Sequence, residues 1–120
     1  MRQGLILFAH GSSDPQWAQP FERIALSLQK KLPAVAVALA FLEHGTSLEE
    51  AIAALAAKGA GSIRVVPVFF GQGGHLKEDL PNLIAQARRA FAGIDLVQEM
   101  PIGENPAVIE AIASAIASAR

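Results

Sequence analysis

The sequence contains no cysteine among its 120 residues. Disulfide bonds and thiolate metal sites are therefore excluded, so any bound metal must be held by histidine, aspartate, glutamate or backbone oxygen. A large net charge is also missing, because 10 basic residues offset 11 acidic ones and leave a formal charge of −1 at pH 7. This balance gives no support to a nucleic acid as a partner, and we expect none.

Long apolar runs are equally absent. The N-terminal run, residues 5–9, is too short to cross a bilayer or to form the core of a signal peptide, and no later run reaches membrane-spanning length. We therefore expect a soluble, cytoplasmic protein that makes no membrane contact. With 52% hydrophobic residues the chain has ample material for one core, and we predict a single domain over residues 1–120.

Short apolar runs alternate along the chain with stretches of helical periodicity. We predict strands at 5–8, 35–41, 63–70 and 94–98, and helices at 15–32, 48–58, 81–92 and 106–119. This alternation indicates an α/β fold in which helices cover both faces of a four-stranded parallel sheet. We take the strand order to be flavodoxin-like, 2-1-3-4. Pro67 is unusual inside the third strand, because proline cannot donate to a strand ladder.

Local signals indicate where the helices begin. Asp14 is expected to cap the first helix, and Ser47 is expected to form a capping box with Glu50 at the start of the second. Pro81 is predicted to open the third helix, with Asp79 as its cap.

The last predicted helix carries a stripe of isoleucines at helical spacing, Ile109, Ile112 and Ile116. Such a stripe most often packs in the core of its own domain. A small sheet with apolar helices also suits a dimer, and we expect a homodimer.

Two histidines follow strands that the assumed order makes neighbours. His10 follows the first strand and His75 the third, and ligands of open parallel sheets bind beyond the carboxyl ends of such strands. Because neighbouring strands lie about 5 Å apart, the two loops can bring both imidazoles to one ion. Glu43, at the end of the second strand, completes a set of three metal ligands with open positions. The side chain of the adjacent His44 is expected to point away from the metal, and to lie at the surface or in contact with these ligands.

A purely structural role for the histidines is the alternative to the metal site. A single histidine beside a glycine is more often a loop or cap residue than a ligand. The glycine-rich loop at residues 71–74 could cradle a phosphate, but it matches neither nucleotide-binding pattern, GxxxxGK[ST] or GxGxxG. We therefore predict no nucleotide cofactor. A flat ligand that approaches the backbone closely would need the same glycines.

Three segments together resemble a known family: residues 10–15 (HGSSDP), 41–43 (FLE) and 66–81 (VPVFFGQGGHLKEDLP). They look like the class II tetrapyrrole chelatases of the small CbiX type. The resemblance covers essentially the whole chain. It implies a chelatase-like fold equivalent to one lobe of larger two-lobed relatives, a homodimer, and insertion of a divalent metal into sirohydrochlorin without ATP. Such a lyase would serve cobalamin or siroheme biosynthesis.

The same resemblance implies roles for individual residues. His10 and His75 correspond to the histidines that handle the metal, and Glu43 corresponds to a carboxylate that joins them in some relatives. The metal is a substrate, most often Co²⁺ by this resemblance, with Ni²⁺ and Fe²⁺ as alternatives. Gly71 and Gln72 stand where many relatives have small aliphatic residues, so this segment departs from the pattern and leaves the choice of metal open.

The chemistry of insertion suggests further roles. Two pyrrolic protons must leave sirohydrochlorin as the metal enters. Imidazole, with an unperturbed pKa of roughly 6.5, can accept protons near neutrality, and we expect a histidine or Glu43 to accept a departing proton. The eight carboxylates of the substrate require hydrogen-bond donors. The candidate substrate-binding residues are Ser12, Ser13, Gln72, Gly73, Gly74 and Lys77. The alternative is that the two serines only shape a turn and that Lys77 is only solvated.

Other classes of protein stay open. A non-catalytic carrier or sensor of Co²⁺ or Ni²⁺ could keep the same histidines. A histidine phosphatase also has a histidine after a strand, but arginine precedes its nucleophile, whereas Ala9 stands there in this chain. A structural module with incidental histidines is the third alternative.

Overall fold

The computed structural model describes residues 2–70 and 76–119. Four parallel strands form one sheet in the order β2-β1-β3-β4. The strands are β1 (Arg2–Ala9), β2 (Val35–Phe41), β3 (Ala60–Pro67) and β4 (Asp95–Gln98). The predicted fold class and strand order are therefore confirmed.

Within the described ranges, four α-helices and two short 3₁₀ turns connect and follow the strands. They are the first 3₁₀ turn (Pro15–Ala18), α1 (Gln19–Lys31), α2 (Leu48–Ala57), α3 (Leu76–Ala90), the second 3₁₀ turn (Ile102–Glu104) and α4 (Pro106–Ala117). In the described part of the chain, no helix combines the length and the apolar character needed to cross a membrane.

The third strand lies three residues earlier than predicted. It begins at Ala60 and ends at Pro67, so residues 68–70 are not part of it. Val68 donates its N–H to Phe8 on β1, which leaves the nitrogen of Pro67 on the opposite side, facing β4. The ladder between β3 and β4 ends at the pair Val65 and Gln98, so no hydrogen bond is required of Pro67.

The start of the third helix was also predicted wrongly. Pro81 lies inside α3, which already begins at Leu76, and Asp79 lies in its first turn and is not a cap residue. Leu80 is fully buried on the sheet one turn before Ile84, so a helix that begins before Pro81 gains apolar contact. The acidic residues of the first turn also suit the positive end of the helix. These gains offset the hydrogen bond that proline removes.

The first helix differs from the prediction in a smaller way. Asp14 does act as an N-cap, because its Oδ1 accepts a hydrogen bond from the N–H of Gln16 at 3.0 Å. The element that it caps is the first 3₁₀ turn, and the α-helical hydrogen bonding starts only at Gln19.

The core consists of two layers on either side of the sheet. Along β1 the side chains alternate, with Ile6 and Phe8 on one face and Leu5 and Leu7 on the other. The first pair packs in the larger cluster, beneath α2 and α3, and the second pair packs with residues of α1. The strands are thus held by apolar burial on both faces, while their carboxyl ends reach one edge of the sheet.

A capping box fixes the start of α2, as predicted. The N–H of Glu50 donates to Ser47 Oγ at 3.1 Å, and the N–H of Ser47 donates to Glu50 Oε1 at 3.0 Å. We expect Ser47→Ala to lower the free energy of unfolding by about 1 kcal/mol, which corresponds to roughly 4 °C in Tm. Thermal denaturation, monitored by circular dichroism, measures this change. Ser27→Ala, at an exposed position of α1, is the control and should not lower Tm.

The capping box also makes the destabilisation caused by Ser47→Ala depend on pH. Hydrogen bonds from the backbone and then the side chain of Ser47 lower the pKa of Glu50 below its ordinary value. Because the pKa of Glu50 is lower in the folded chain than in the unfolded chain, its ionised form stabilises the fold. This stabilisation is complete above the ordinary, unfolded-state pKa and is lost as the pH falls through the lowered, folded-state pKa. The Tm difference between wild type and Ser47→Ala should therefore be smaller at about pH 3 than at about pH 7. A difference that grows on acidification would contradict this.

Candidate metal site

His10 and Glu43 lie side by side at the carboxyl edge of the sheet. Strands β1 and β2 are neighbours whose last paired residues are Ala9 and Phe41. The pairing continues beyond them, because the N–H of Glu43 donates to the carbonyl oxygen of His10 at 3.1 Å. As a result, His10 Nδ1 lies 3.6 Å from Glu43 Oε1.

The hydrogen bonding of His10 suits a metal ligand. Its Nδ1 lies 3.1 Å from the carbonyl oxygen of Gly11, which can only accept, so Nδ1 carries the proton when this bond forms. Nε2 then keeps its lone pair. Histidines that bind metals commonly donate their other ring N–H to a carbonyl or carboxylate in this way. The side chains of His10 and Glu43 are 51% and 52% exposed, so a ligand from solvent can reach them.

Gly11 allows the two loops to approach each other. Its φ of +96° lies in the left-handed region. A Cβ at this position would lie 1.9 Å from the carbonyl oxygen of Glu43, which is far inside any real contact. Only glycine therefore permits the loop after β1 to pack against the loop after β2, and this packing sets the spacing of His10 and Glu43.

The serines that follow have different positions. Ser12 Oγ accepts a hydrogen bond from the N–H of Asp14 at 3.1 Å, so this hydroxyl shapes the turn. Its proton can still be donated to a ligand. Ser13 is exposed on the same loop.

Aromatic packing attaches the first 3₁₀ turn to the end of β2. The ring of Trp17 lies 4.6 Å from that of Phe21 and 6.2 Å from that of Phe41, measured between centroids. Phe41 immediately precedes the Leu42–Glu43 segment. This contact is a second link between the turn that follows His10 and the segment that carries Glu43.

His44 lies at the surface beside the carboxylate of Glu43, in agreement with the prediction. Its Nε2 is 4.0 Å from Glu43 Oε1, and its side chain is half exposed. Its φ of +59° is the one positive value among the non-glycine residues described, and it turns the chain at the end of β2. A histidine followed by glycine shortly after a strand occurs both at His10 and at His44.

Several predicted site residues lie outside the described residues, namely His75, Gln72, Gly73 and Gly74. Lys77 occupies the first turn of α3, the helix that follows β3. Within the ranges 2–70 and 76–119, no group of three His, Cys, Asp or Glu side chains is arranged to hold a metal. The structure therefore brings together two of the three predicted ligands, His10 and Glu43.

Comparison with known proteins gives consistent matches over nearly the whole chain. The family model described as CbiX matches residues 4–119. A sirohydrochlorin cobaltochelatase from Saccharolobus islandicus is 31% identical over 120 residues, which cover 94% of this chain and 92% of that protein.

Two solved structures share the fold. A CbiX protein from Marinobacter aquaeolei VT8 superposes with a TM-score of 0.84 at 32% identity, covering 96% of this chain and 94% of that one. The sirohydrochlorin chelatase SirB from Bacillus subtilis subspecies spizizenii, solved in complex with cobalt, superposes with a TM-score of 0.83 at 26% identity. That match covers 98% of this chain but 50% of SirB.

Proposed function

The chain belongs to the CbiX family of class II chelatases, and from that premise we propose that it inserts Co²⁺ into sirohydrochlorin. The observation that carries the proposal is the His10–Glu43 pair, placed 3.6 Å apart at the carboxyl edge of the sheet and open to solvent. Imidazole and carboxylate are ligands that hold a divalent transition metal and can release it again.

In this reaction the chain must first hold the metal. We assign this role to Nε2 of His10 and to the carboxylate of Glu43, with His75 as the third ligand. His75 immediately precedes α3, and β3 lies beside β1 in the sheet. The carboxyl ends of these two parallel strands lie at the same edge of the sheet, and this supports the assignment of His75 to the site.

The chain must also remove two protons. As metal–nitrogen bonds replace the pyrrolic N–H bonds, two protons leave the macrocycle. A histidine that has released the metal, or the Glu43 carboxylate, is a base within reach of this site. Ser13, Ser12 and the first turn of α3, which includes Lys77, would donate hydrogen bonds to substrate carboxylates, together with Gln72, Gly73 and Gly74.

A second copy of the chain would complete the cleft. SirB is a chain of which this one covers 50%, so a homodimer would supply the missing half. Sirohydrochlorin carries carboxylates around its whole rim, and a single edge of one sheet reaches only part of such a ligand. We therefore propose that the active form is a homodimer.

The choice of metal is tested by mixing purified protein with anaerobic sirohydrochlorin and Co²⁺, Ni²⁺ or Fe²⁺ in turn, and following absorbance. Each rate is compared with the uncatalysed rate for the same metal. We expect the largest acceleration with Co²⁺. A larger acceleration with Fe²⁺ would move the assignment to siroheme synthesis. Acceleration with none of the three metals would overturn the chelatase assignment.

A metal carrier is the second candidate, because the same two exposed ligands could deliver Co²⁺ or Ni²⁺ to a partner. Isothermal titration separates it from the enzyme. Tight, stoichiometric metal binding without any acceleration of insertion would favour the carrier.

A further inference from the structure

One aromatic side chain is exposed just beyond the end of the third strand. Phe70 is 66% exposed, whereas every other aromatic residue in the described part of the chain is buried or half-buried. Phe69, immediately before it, packs against the larger core cluster, so the two neighbouring rings have different environments. Single exposed apolar residues are common on protein surfaces, and the position of Phe70 must therefore decide whether it has a function.

The register of β1 and β3 places Phe70 at the strand end next to that of His10. The N–H of Val68 donates to the carbonyl oxygen of Phe8 at 2.7 Å, just beyond the end of β3. His10 lies two residues after Phe8, and Phe70 lies two residues after Val68. Glu43 follows β2, on the other side of β1. The three residues therefore follow three adjacent strands, which are about 5 Å apart, with His10 on the middle one.

Contact with the second 3₁₀ turn fixes the backbone of Phe70. The N–H of Gly103 donates to the carbonyl oxygen of Phe69 at 3.1 Å, and Gly103 itself is buried. A Cβ at Gly103 would lie 2.3 Å from Cα and 2.9 Å from Cδ1 of Phe70, so only glycine permits this contact. A side chain that is already held by its surroundings loses little conformational entropy when a ligand covers it.

We propose that Phe70 is a substrate-binding residue whose ring packs against one face of the sirohydrochlorin macrocycle. The inference rests on the proposed function, which places the metal at His10. Because the four nitrogens of the macrocycle surround the metal, the conjugated ring extends over the residues on both sides of His10. The carboxylates lie on the rim and need polar donors, whereas the flat face is apolar and suits an aromatic side chain.

Binding of metal-free sirohydrochlorin, followed by the fluorescence of the macrocycle, tests this contact without an insertion step. We expect Phe70→Ala to raise the Kd for sirohydrochlorin about tenfold, which is the order of effect for removing one ring stacked on a flat conjugated ligand. Phe70→Leu keeps an apolar surface and should give an intermediate Kd. Leu26→Ala, on α1 at a side chain that is 67% exposed, is the matched control and should leave the Kd unchanged.

The affinity for Co²⁺, measured by isothermal titration, separates the ring from the metal site. It should be equal in wild type and Phe70→Ala, because the ring is not a metal ligand. Equal sirohydrochlorin affinity in these two proteins would overturn the inference and leave the proposed function in place. A wild type that binds no sirohydrochlorin would overturn both. A Phe70→Ala variant that loses affinity for Co²⁺ as well would overturn the specific contact with the macrocycle.

Gly103→Ala tests whether the second 3₁₀ turn positions the ring. The added Cβ must displace Phe70, so the Kd for sirohydrochlorin should rise and Tm should fall. In the Phe70→Ala background the same substitution should still lower Tm but should raise the Kd no further, because no ring is left to displace. Increases in Kd that add in the double variant would show that Gly103 acts by another route, and would overturn its positioning role.

Discussion

Replacement of His10 by alanine is expected to lower the rate of metal insertion by about a hundredfold or more, because the site loses both a metal ligand and a candidate base. The fold should be preserved. His10 is half exposed, and its only side-chain hydrogen bond in the described structure is the one to the neighbouring Gly11. The measurement is the initial rate of absorbance change with Co²⁺ and sirohydrochlorin, corrected for the uncatalysed rate.

His44→Ala is the matched control for this experiment. His44 has the same residue type, nearly the same exposure and a position beside the same carboxylate, but a longer distance to Glu43. It should retain most of the activity. Equal losses in the two variants would show that any histidine near Glu43 matters. A fully active, folded His10→Ala would remove His10 from the mechanism.

Replacement of Gly11 by alanine is the second substitution for which we expect a large effect. The new Cβ would be 1.9 Å from the carbonyl oxygen of Glu43, and real contacts of this kind stay beyond 3.0 Å, so the two loops must separate. A displacement of about 1 Å at a catalytic site can cost about a hundredfold in rate. We therefore expect a rate loss of that order, with a drop in Tm because alanine is also strained at positive φ.

Substitutions at two other glycines separate the two causes of the Gly11→Ala effect, which are backbone strain and the collision with Glu43. Gly59 has a φ of +90° but no atom within 4 Å of an added Cβ, so Gly59→Ala carries the backbone strain without the collision. It should lose about 1–2 kcal/mol of stability and keep its activity. Gly93→Ala, which also meets no atom within 4 Å, should change neither stability nor activity substantially. An active Gly11→Ala would mean that the spacing of His10 and Glu43 does not matter.

Local sequence signals predicted much of the fold because the physics behind them is local. The capping box of Ser47 and Glu50 and the bounds of β2 were predicted as the structure has them. The alternation of strands and helices was sufficient for the sheet, since parallel neighbours need helical crossovers. The strand order itself was an assumption, and it is confirmed by the register of β1 with β2 and β3.

The errors arose where tertiary packing overrode local preference. Proline normally occupies the first turn of a helix. In α3, however, the burial of Leu80 favours a helix that begins before Pro81. The isoleucines of α4 have a spacing that most often indicates core packing, yet they are exposed in the structure, and packing against a second copy was the alternative that the sequence left open. Helical periodicity identifies an apolar face without identifying the surface that covers it.

The proximity of two candidate ligands was predictable from the sequence, whereas their role as metal ligands stays a prediction. Residues His10 and Glu43 were assigned to adjoining strand ends, and the structure places them together. The role of Gly11 was not predicted, because a collision with the Glu43 carbonyl depends on the path of two loops that are distant in sequence. The proposal that His75 completes the site rests on its position in the chain after β3.

The most direct test is the position of the metal itself. Crystals of the protein grown or soaked with Co²⁺, and measured at the cobalt absorption edge, would show the ion as an anomalous peak. The account predicts a peak about 2.1 Å from a ring nitrogen of His10, with Glu43 and His75 as the other protein ligands. A cobalt peak elsewhere on the molecule, with His10 and Glu43 free of metal, would contradict it.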